Sequence, residues 1–170
     1  EIKAFSNFSI PLSTKIMAQR LQDKGYHTMY AGKWNVGHCN HAYMPWKRGY
    51  DSFIGYFGSG IDYTAFLADD DESVTHNGHS HYFKDMSWGA PDTGLVTIAP
   101  GQNYSDALFA ASMVQRLKAH KATYGAAAGE DGHPVFAHFG FQGPHDDPGA
   151  GSRVVHIRWS PGADLLSACP

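Results

Sequence analysis

Cysteine is scarce in this sequence, with only Cys39 and Cys169 present. Two cysteines cannot build a disulfide framework, and neither has metal-ligand spacing to the other. Long apolar runs are also missing. No stretch approaches the length that crosses a bilayer, so no membrane span is expected. Lysine and arginine form no run, and the net charge is −3 with neutral histidines, which argues against a nucleic-acid partner. The chain opens on Glu1-Ile2-Lys3, with neither an initiator methionine nor the apolar core of a signal peptide. It therefore reads as starting inside a longer protein.

What is present is the composition of a globular domain. The chain has 170 residues, of which 42% are hydrophobic and 17% charged. That is enough chain to bury a core and too little charge for a disordered one. Two glycosylation sequons, Asn7-Phe8-Ser9 and Asn103-Tyr104-Ser105, matter only if the chain enters the secretory pathway.

The most informative stretch is 26–37. Tyr26, Thr28 and Tyr30 alternate with His27, Met29 and Ala31, a pattern that fits a strand. It runs into a turn bracketed by Gly32 and Gly37 that carries Lys33, Trp34 and Asn35. Open α/β sheets place ligands where a strand end meets such a loop. Lys33 would bring a compact positive charge there, suited to an anion. The plainer alternative is a surface lysine beside a packing tryptophan.

Around this stretch the elements alternate. Ser13 is a good N-cap, and Ile16, Met17, Arg20, Leu21 and Lys24 share one helical stripe ending at Gly25, which predicts a helix over 14–24. Residues 50–58 are aromatic and glycine-rich, a short strand or turn under the site. Ser105 is an expected N-cap for a helix over 106–120 that buries Leu108, Phe109, Met113, Val114 and Leu117. After a Gly-rich linker over 122–133, Val135 to Phe141 is nearly all apolar, as a central parallel strand would be. The fold class is therefore α/β, a mostly parallel sheet flanked by helices, with two core strands and two helices expected.

Three other features have simple readings. His38, Cys39 and His41 sit in the loop 38–48, but no second ligand pair completes a zinc site. Asp69-Asp70-Asp71-Glu72 is an acidic run, read as a solvated loop rather than a calcium site. His76, His79 and His81 form a histidine-rich tract read as a surface insertion, with weak metal binding as its other reading.

Four segments then resemble one family in order. Gly32-Lys33-Trp34-Asn35-Val36-Gly37 is similar to the Gly-Lys-Trp-His-Leu-Gly motif of the sulfatases, the arylsulfatase type within the alkaline-phosphatase-like superfamily. Pro11-Leu12 with Lys24-Gly25-Tyr26 resembles the approach to that motif. Pro45 to Tyr56 resembles the family's "PxxRGFDxFxGY" segment, and Phe141-Gln142-Gly143-Pro144-His145 its "FQAPH". Together they reach across about residues 8–148 and imply a partial catalytic domain over 1–148. Residues 149–170 lack the resemblance and read as a frameshifted or read-through tail.

The resemblance implies a chemistry and exposes gaps. The family uses a formylglycine nucleophile from a C-x-P-S-R motif, a calcium ion held by carboxylates and an amide, and Lys and His side chains around the sulfate. Lys33 matches the sulfate-contacting lysine, and His145 the histidine near the leaving oxygen, a general acid. Asn35 stands where the family usually has histidine; it can hydrogen-bond but cannot shuttle a proton. His38, slightly later, is one possible substitute. No C-x-P-S-R and no Asp-Asp or Asp-Asn calcium motif is found. The implied protein is a sulfuric ester hydrolase acting on a small-molecule or carbohydrate sulfate ester, secreted or lumenal, with its nucleophile and calcium ligands outside this chain. The fragment alone is expected to be inactive. The other readings are a phosphodiesterase or phosphonate hydrolase of the same superfamily, a non-catalytic remnant, and a histidine-rich metal binder.

Overall fold

The computed structural model describes residues 8–58, 60–68, 84–99, 103–125 and 133–143, and the backbone of 74–76 and 79–81. His145, Cys169, Asn7, the acidic run 69–72, the side chains of the histidine tract 76–81 and the tail 149–170 lie outside the described residues.

A five-stranded sheet organises the rest. Its strands are β1 (His27–Lys33), β2 (Ser52–Tyr56), β5 (Ser87–Ala90), β6 (Gly94–Thr97) and β7 (Val135–Gly140), in the order β6-β5-β2-β1-β7. β1 runs parallel to both β2 and β7, while β5 and β6 add an antiparallel edge. Two short strands, β3 (Val74–His76) and β4 (His79–His81), pair as a separate hairpin. The helices are α1 (Met17–Gln22) and α2 (Ser105–Tyr124). The α/β layering expected from the sequence is what forms, with three parallel strands at its core.

β1 is buried on both faces, from Thr28 to Gly32. One face carries Met29 and Ala31, which pack with Ile54, Tyr56, Phe66, Phe109 and Met113 beneath α2. The other carries Tyr30, which packs with Trp34, Trp46, Tyr50 and Phe53 beside Ala18 of α1. Phe53, Phe66 and Phe109 are fully buried. Each such side chain contributes about 1.5–3 kcal/mol of apolar burial. The strand alternation read from 26–31 is thus a two-sided core, and it continues through Gly32 and Lys33 before the chain turns.

Two boundaries and the place of one strand differ from the sequence reading, and one hairpin goes beyond it. α1 starts at Met17 rather than Thr14, because the N–H of Ile16 donates to Gln19 Oε1 at 3.1 Å and closes the helix start there. Upstream, Thr14 belongs to a turn and its carbonyl accepts from Arg48. α2 starts at Ser105 itself, with Tyr104 at the cap position, and the Ser105 hydroxyl is bonded to Gln142 Oε1 instead of capping. β7 is an edge strand among the described residues, with Val135 and Phe139 each 37% exposed. The segment 84–99, which carries no clear period, forms the β5–β6 hairpin around the turn Pro91-Asp92-Thr93.

Candidate functional site

The parallel strands β1, β2 and β7 end side by side. Gly32 pairs with Gly55 on one flank and Gly140 on the other, a row of glycines across three strands. A Cβ on Gly55 would fall 1.9 Å from the Gly32 carbonyl oxygen, and one on Gly32 2.2 Å from that of Gly140. Only backbones without side chains approach so closely. The next residue, Lys33, ends β1, and the chain leaves the sheet at the edge where ligands bind in such folds.

The turn after Lys33 is fastened from several sides. The N–H groups of Trp34 and Asn35 donate to the carbonyls of Tyr56 and Phe57, at 2.8 and 3.2 Å. The Trp34 indole N–H lies 3.0 Å from the Gly37 carbonyl and 3.2 Å from that of Tyr43. Ile10 N–H donates to the Val36 carbonyl at 3.0 Å, and the Tyr30 hydroxyl donates to the Lys33 carbonyl. Trp34 is therefore a buried brace for the loop, and Lys33 remains half-buried, with no carboxylate partner among the described residues.

Asn35 occupies left-handed backbone space at φ 42°, which asparagine tolerates better than most residues. Its Oδ1 is buried and accepts no hydrogen bond among the described residues. An unmet buried acceptor costs free energy unless a donor completes it.

Two buried carboxylates shape the neighbouring strand ends, and sequence reasoning passed over both. Asp85 accepts from the N–H groups of Phe57 and Gly58, fixing the end of β2 at 2.7–3.0 Å. Asp106 accepts from Gln142 and Gly143, each at 2.8 Å, fixing the loop after β7. Burial pushes the Asp106 carboxyl up, and the two amide hydrogen bonds pull it back. Gln142 is gripped further: its carbonyl accepts from Tyr63, and its side chain bonds Ser105 and the Ile61 carbonyl. His145 follows two residues after this clamp in sequence and lies outside the described residues.

The remaining loop residues play structural parts. The His38 ring packs against Phe57 at 5.6 Å, and the His41 ring against Trp46 at 6.2 Å. Cys39 is exposed, with its sulfur 3.5 Å from Ser9 Oγ. Among the described residues no three His, Cys, Asp or Glu side chains converge where a metal could sit. A calcium ion needs about six to eight oxygen ligands, so the described residues do not fit one.

Comparison with known proteins bears on this arrangement. The sulfatase family model matches residues 3–156. Arylsulfatase J of Mus musculus is 30% identical over 137 residues, covering 80% of this chain and 20% of the relative. The arylsulfatase of Klebsiella aerogenes is 29% identical over 130 residues, covering 76% of this chain and 24% of the relative. The crystal structure of Ps i-CgsB superposes with a TM-score of 0.57 at 21% identity, over 82% of this chain and 29% of that one. Ps i-CgsB in complex with k-i-k-neocarrahexaose gives 0.52 at 21% identity, over 79% and 28%. The chain spans about a fifth to a quarter of the curated relatives it matches.

Proposed function

The chain belongs to the sulfatase family, and on that premise we propose that the whole protein is a sulfuric ester hydrolase whose sulfate-facing lysine is Lys33. The observation that carries this reading is the position of Lys33: a half-buried cation without an ion pair among the described residues, held at the C-terminal end of β1 by a fastened turn. A preorganised cation in a partly dry site stabilises charge that develops on sulfate oxygens.

Asn35 is the hydrogen-bonding partner of the reacting group. Its unmet Oδ1 suits a hydroxyl donor, and its amide N–H suits an oxygen acceptor. It moves no proton. His145 is the proton donor to the leaving oxygen, and the Asp106 clamp sets the backbone that leads to it. The nucleophile, and the calcium that the family employs as a Lewis acid, belong to residues outside those described here.

The substrate class is a small-molecule or carbohydrate sulfate ester, and the compartment is extracellular or lumenal. The solved complex of Ps i-CgsB with k-i-k-neocarrahexaose supports including oligosaccharides in any substrate panel.

The deciding experiment expresses the full-length protein and assays an aryl sulfate beside an aryl phosphate diester. Sulfate-ester turnover that drops by about 10²–10³ in Lys33→Ala supports the assignment. Preference for the phosphate diester would move the protein to the phosphodiesterases of the superfamily. No turnover of either would make it a non-catalytic relative.

A further inference from the structure

A cavity sits at the opposite end of β1 from Lys33. Its volume is about 200 Å³. It lies between the C-terminal half of α2 and the first residues of β1 and β2, and is lined by His27, Ser52, Arg116, His120, Thr123 and Tyr124 among others. One ordered water needs about 10–15 Å³ on a comparable measure, so this space has room for a small polyatomic ion.

Among the described residues, no carboxylate offsets the donors that line this cavity. Arg116 is half-buried and donates its Nε–H to Ser112 Oγ at 3.1 Å, but it has no carboxylate partner among the described residues. A guanidinium so placed gives up hydration for a single neutral hydrogen bond among the described residues, and its planar fork suits two oxygens of an anion. Ser52 is 7% exposed, and its hydroxyl has no hydrogen-bond partner among the described residues. The nearby carboxylate, Asp51, is already engaged: it accepts from Gln22 at 2.8 Å, and from the Thr28 N–H and hydroxyl at 2.8 and 3.0 Å.

The histidines supply a switchable third donor. His120 Nε2 lies 2.9 Å from the His133 carbonyl, which can only accept, so His120 carries its hydrogen on Nε2. Its Nδ1 must then accept from His27 Nδ1–H, 2.9 Å away. The hydrogen-bond chain thereby fixes the neutral tautomer of His27 and leaves His27 Nε2 as the atom that takes the next proton. Charging it breaks none of these bonds. The groups acting on His27 are Asp51, which favours the charged form, and His120, Arg116 and His133, which oppose it. Burial is the largest influence and also opposes the charge. The Tyr124 ring stands edge-on at 6.4 Å.

We propose that this cavity binds a small tetrahedral oxyanion, a sulfate or phosphate group, between Arg116, Ser52 and a His27 that takes up one proton at Nε2. The bound anion supplies the negative charge that Arg116 lacks and reverses the balance at His27. The site is separate from the lysine end of β1 and does not depend on the reading of that end.

Calorimetric titration of the full chain with inorganic sulfate, inorganic phosphate, methyl sulfate and acetate tests it, with the fold of each variant checked by circular dichroism. Saturable sulfate or phosphate binding is expected, tighter at about pH 5.5 than at about pH 7.5 because His27 must be charged. Arg116→Gln should weaken it at least tenfold. Ser52→Ala, which removes no existing hydrogen bond, should weaken it a few-fold. His27→Gln should flatten the pH dependence, and Lys33→Ala should retain the Arg116-dependent binding. Methyl sulfate binding as well as sulfate assigns the site to an ester group; exclusion of methyl sulfate assigns it to the free ion. Loss of binding in Lys33→Ala but not in Arg116→Gln, acetate binding equal to sulfate, or no saturable binding would each overturn the proposal.

Discussion

Gly32 and Gly140 face each other across the β1–β7 pairing so closely that a methyl group on Gly32 would lie 2.2 Å from the Gly140 carbonyl oxygen. Gly32 also has φ +129°, a conformation that side chains disfavour. Gly32→Ala should therefore destabilise the chain by about 3 kcal/mol, from backbone strain and overpacking together. Urea unfolding measures this; a loss under about 0.5 kcal/mol, typical of a surface change, would show that the strands can part without cost.

Asp106 holds the loop after β7 through two backbone N–H groups that nothing else in the described structure serves. Asp106→Ala leaves both buried and unmet, at about 1–3 kcal/mol apiece. Asp106→Asn keeps one acceptor and should recover roughly half of the loss. Hydrogen exchange at the Gln142 and Gly143 amides should accelerate in the alanine variant, ahead of any change in the core of β1.

Burial lowers the pKa of both His27 and His138 from 6.5. The unfolded chain therefore binds protons before the folded one does. Stability should be full above pH 6.5 and decline as pH falls from there toward the lowered native values, after which the slope vanishes. His138 Nδ1 lies 3.0 Å from the Tyr50 hydroxyl and its ring 4.5 Å from that of Tyr30, so it sits in the aromatic cluster itself. Chemical denaturation across this range, compared with His27→Gln and His138→Gln, checks the sign. A native state that gains stability on acidification through the window would refute it.

Asn35→His, made in the full-length protein, adds an ionisable group to the site. Histidine, like asparagine, tolerates left-handed backbone, so the turn at φ 42° should survive. The kcat profile should acquire an extra inflection near about pH 6.5. An unchanged profile would mean that this position does not reach the reacting group.

Local chemistry made much of this fold readable. The alternation from Tyr26 to Ala31, the Gly25 stop after α1 and the apolar stripe on α2 each report an environment within a few residues, and each element formed. The glycine bracket likewise marked the turn that follows Lys33. What stayed hidden acts over long sequence distances. Asp106 reads as an ordinary acidic residue in a helix's first turn, yet its partners lie 36 and 37 positions away. The apolar run of β7 carries no record of its neighbours, so it reads as a central strand although, among the described residues, it lies at the sheet edge and none of its residues is fully buried. β5 and β6 are only four residues each, with Leu95 and Val96 exposed, too short and too irregular to show a period.

The parallel register of β1 has a consequence for the order in which the molecule assembles. Met29 meets Ser52 on one flank after a short excursion of chain, but meets Ala137 on the other only after more than a hundred further residues have been made. Loop-closure entropy favours the nearer contact, and synthesis delivers it earlier. The β1–β2 half of the sheet, with the lysine turn, can nucleate while β7 is still on the ribosome. The clamp between Asp106 and Gln142 closes after the β1–β2 pairing, so the strand ends on the two flanks of β1 are built at different times and meet only when β7 docks.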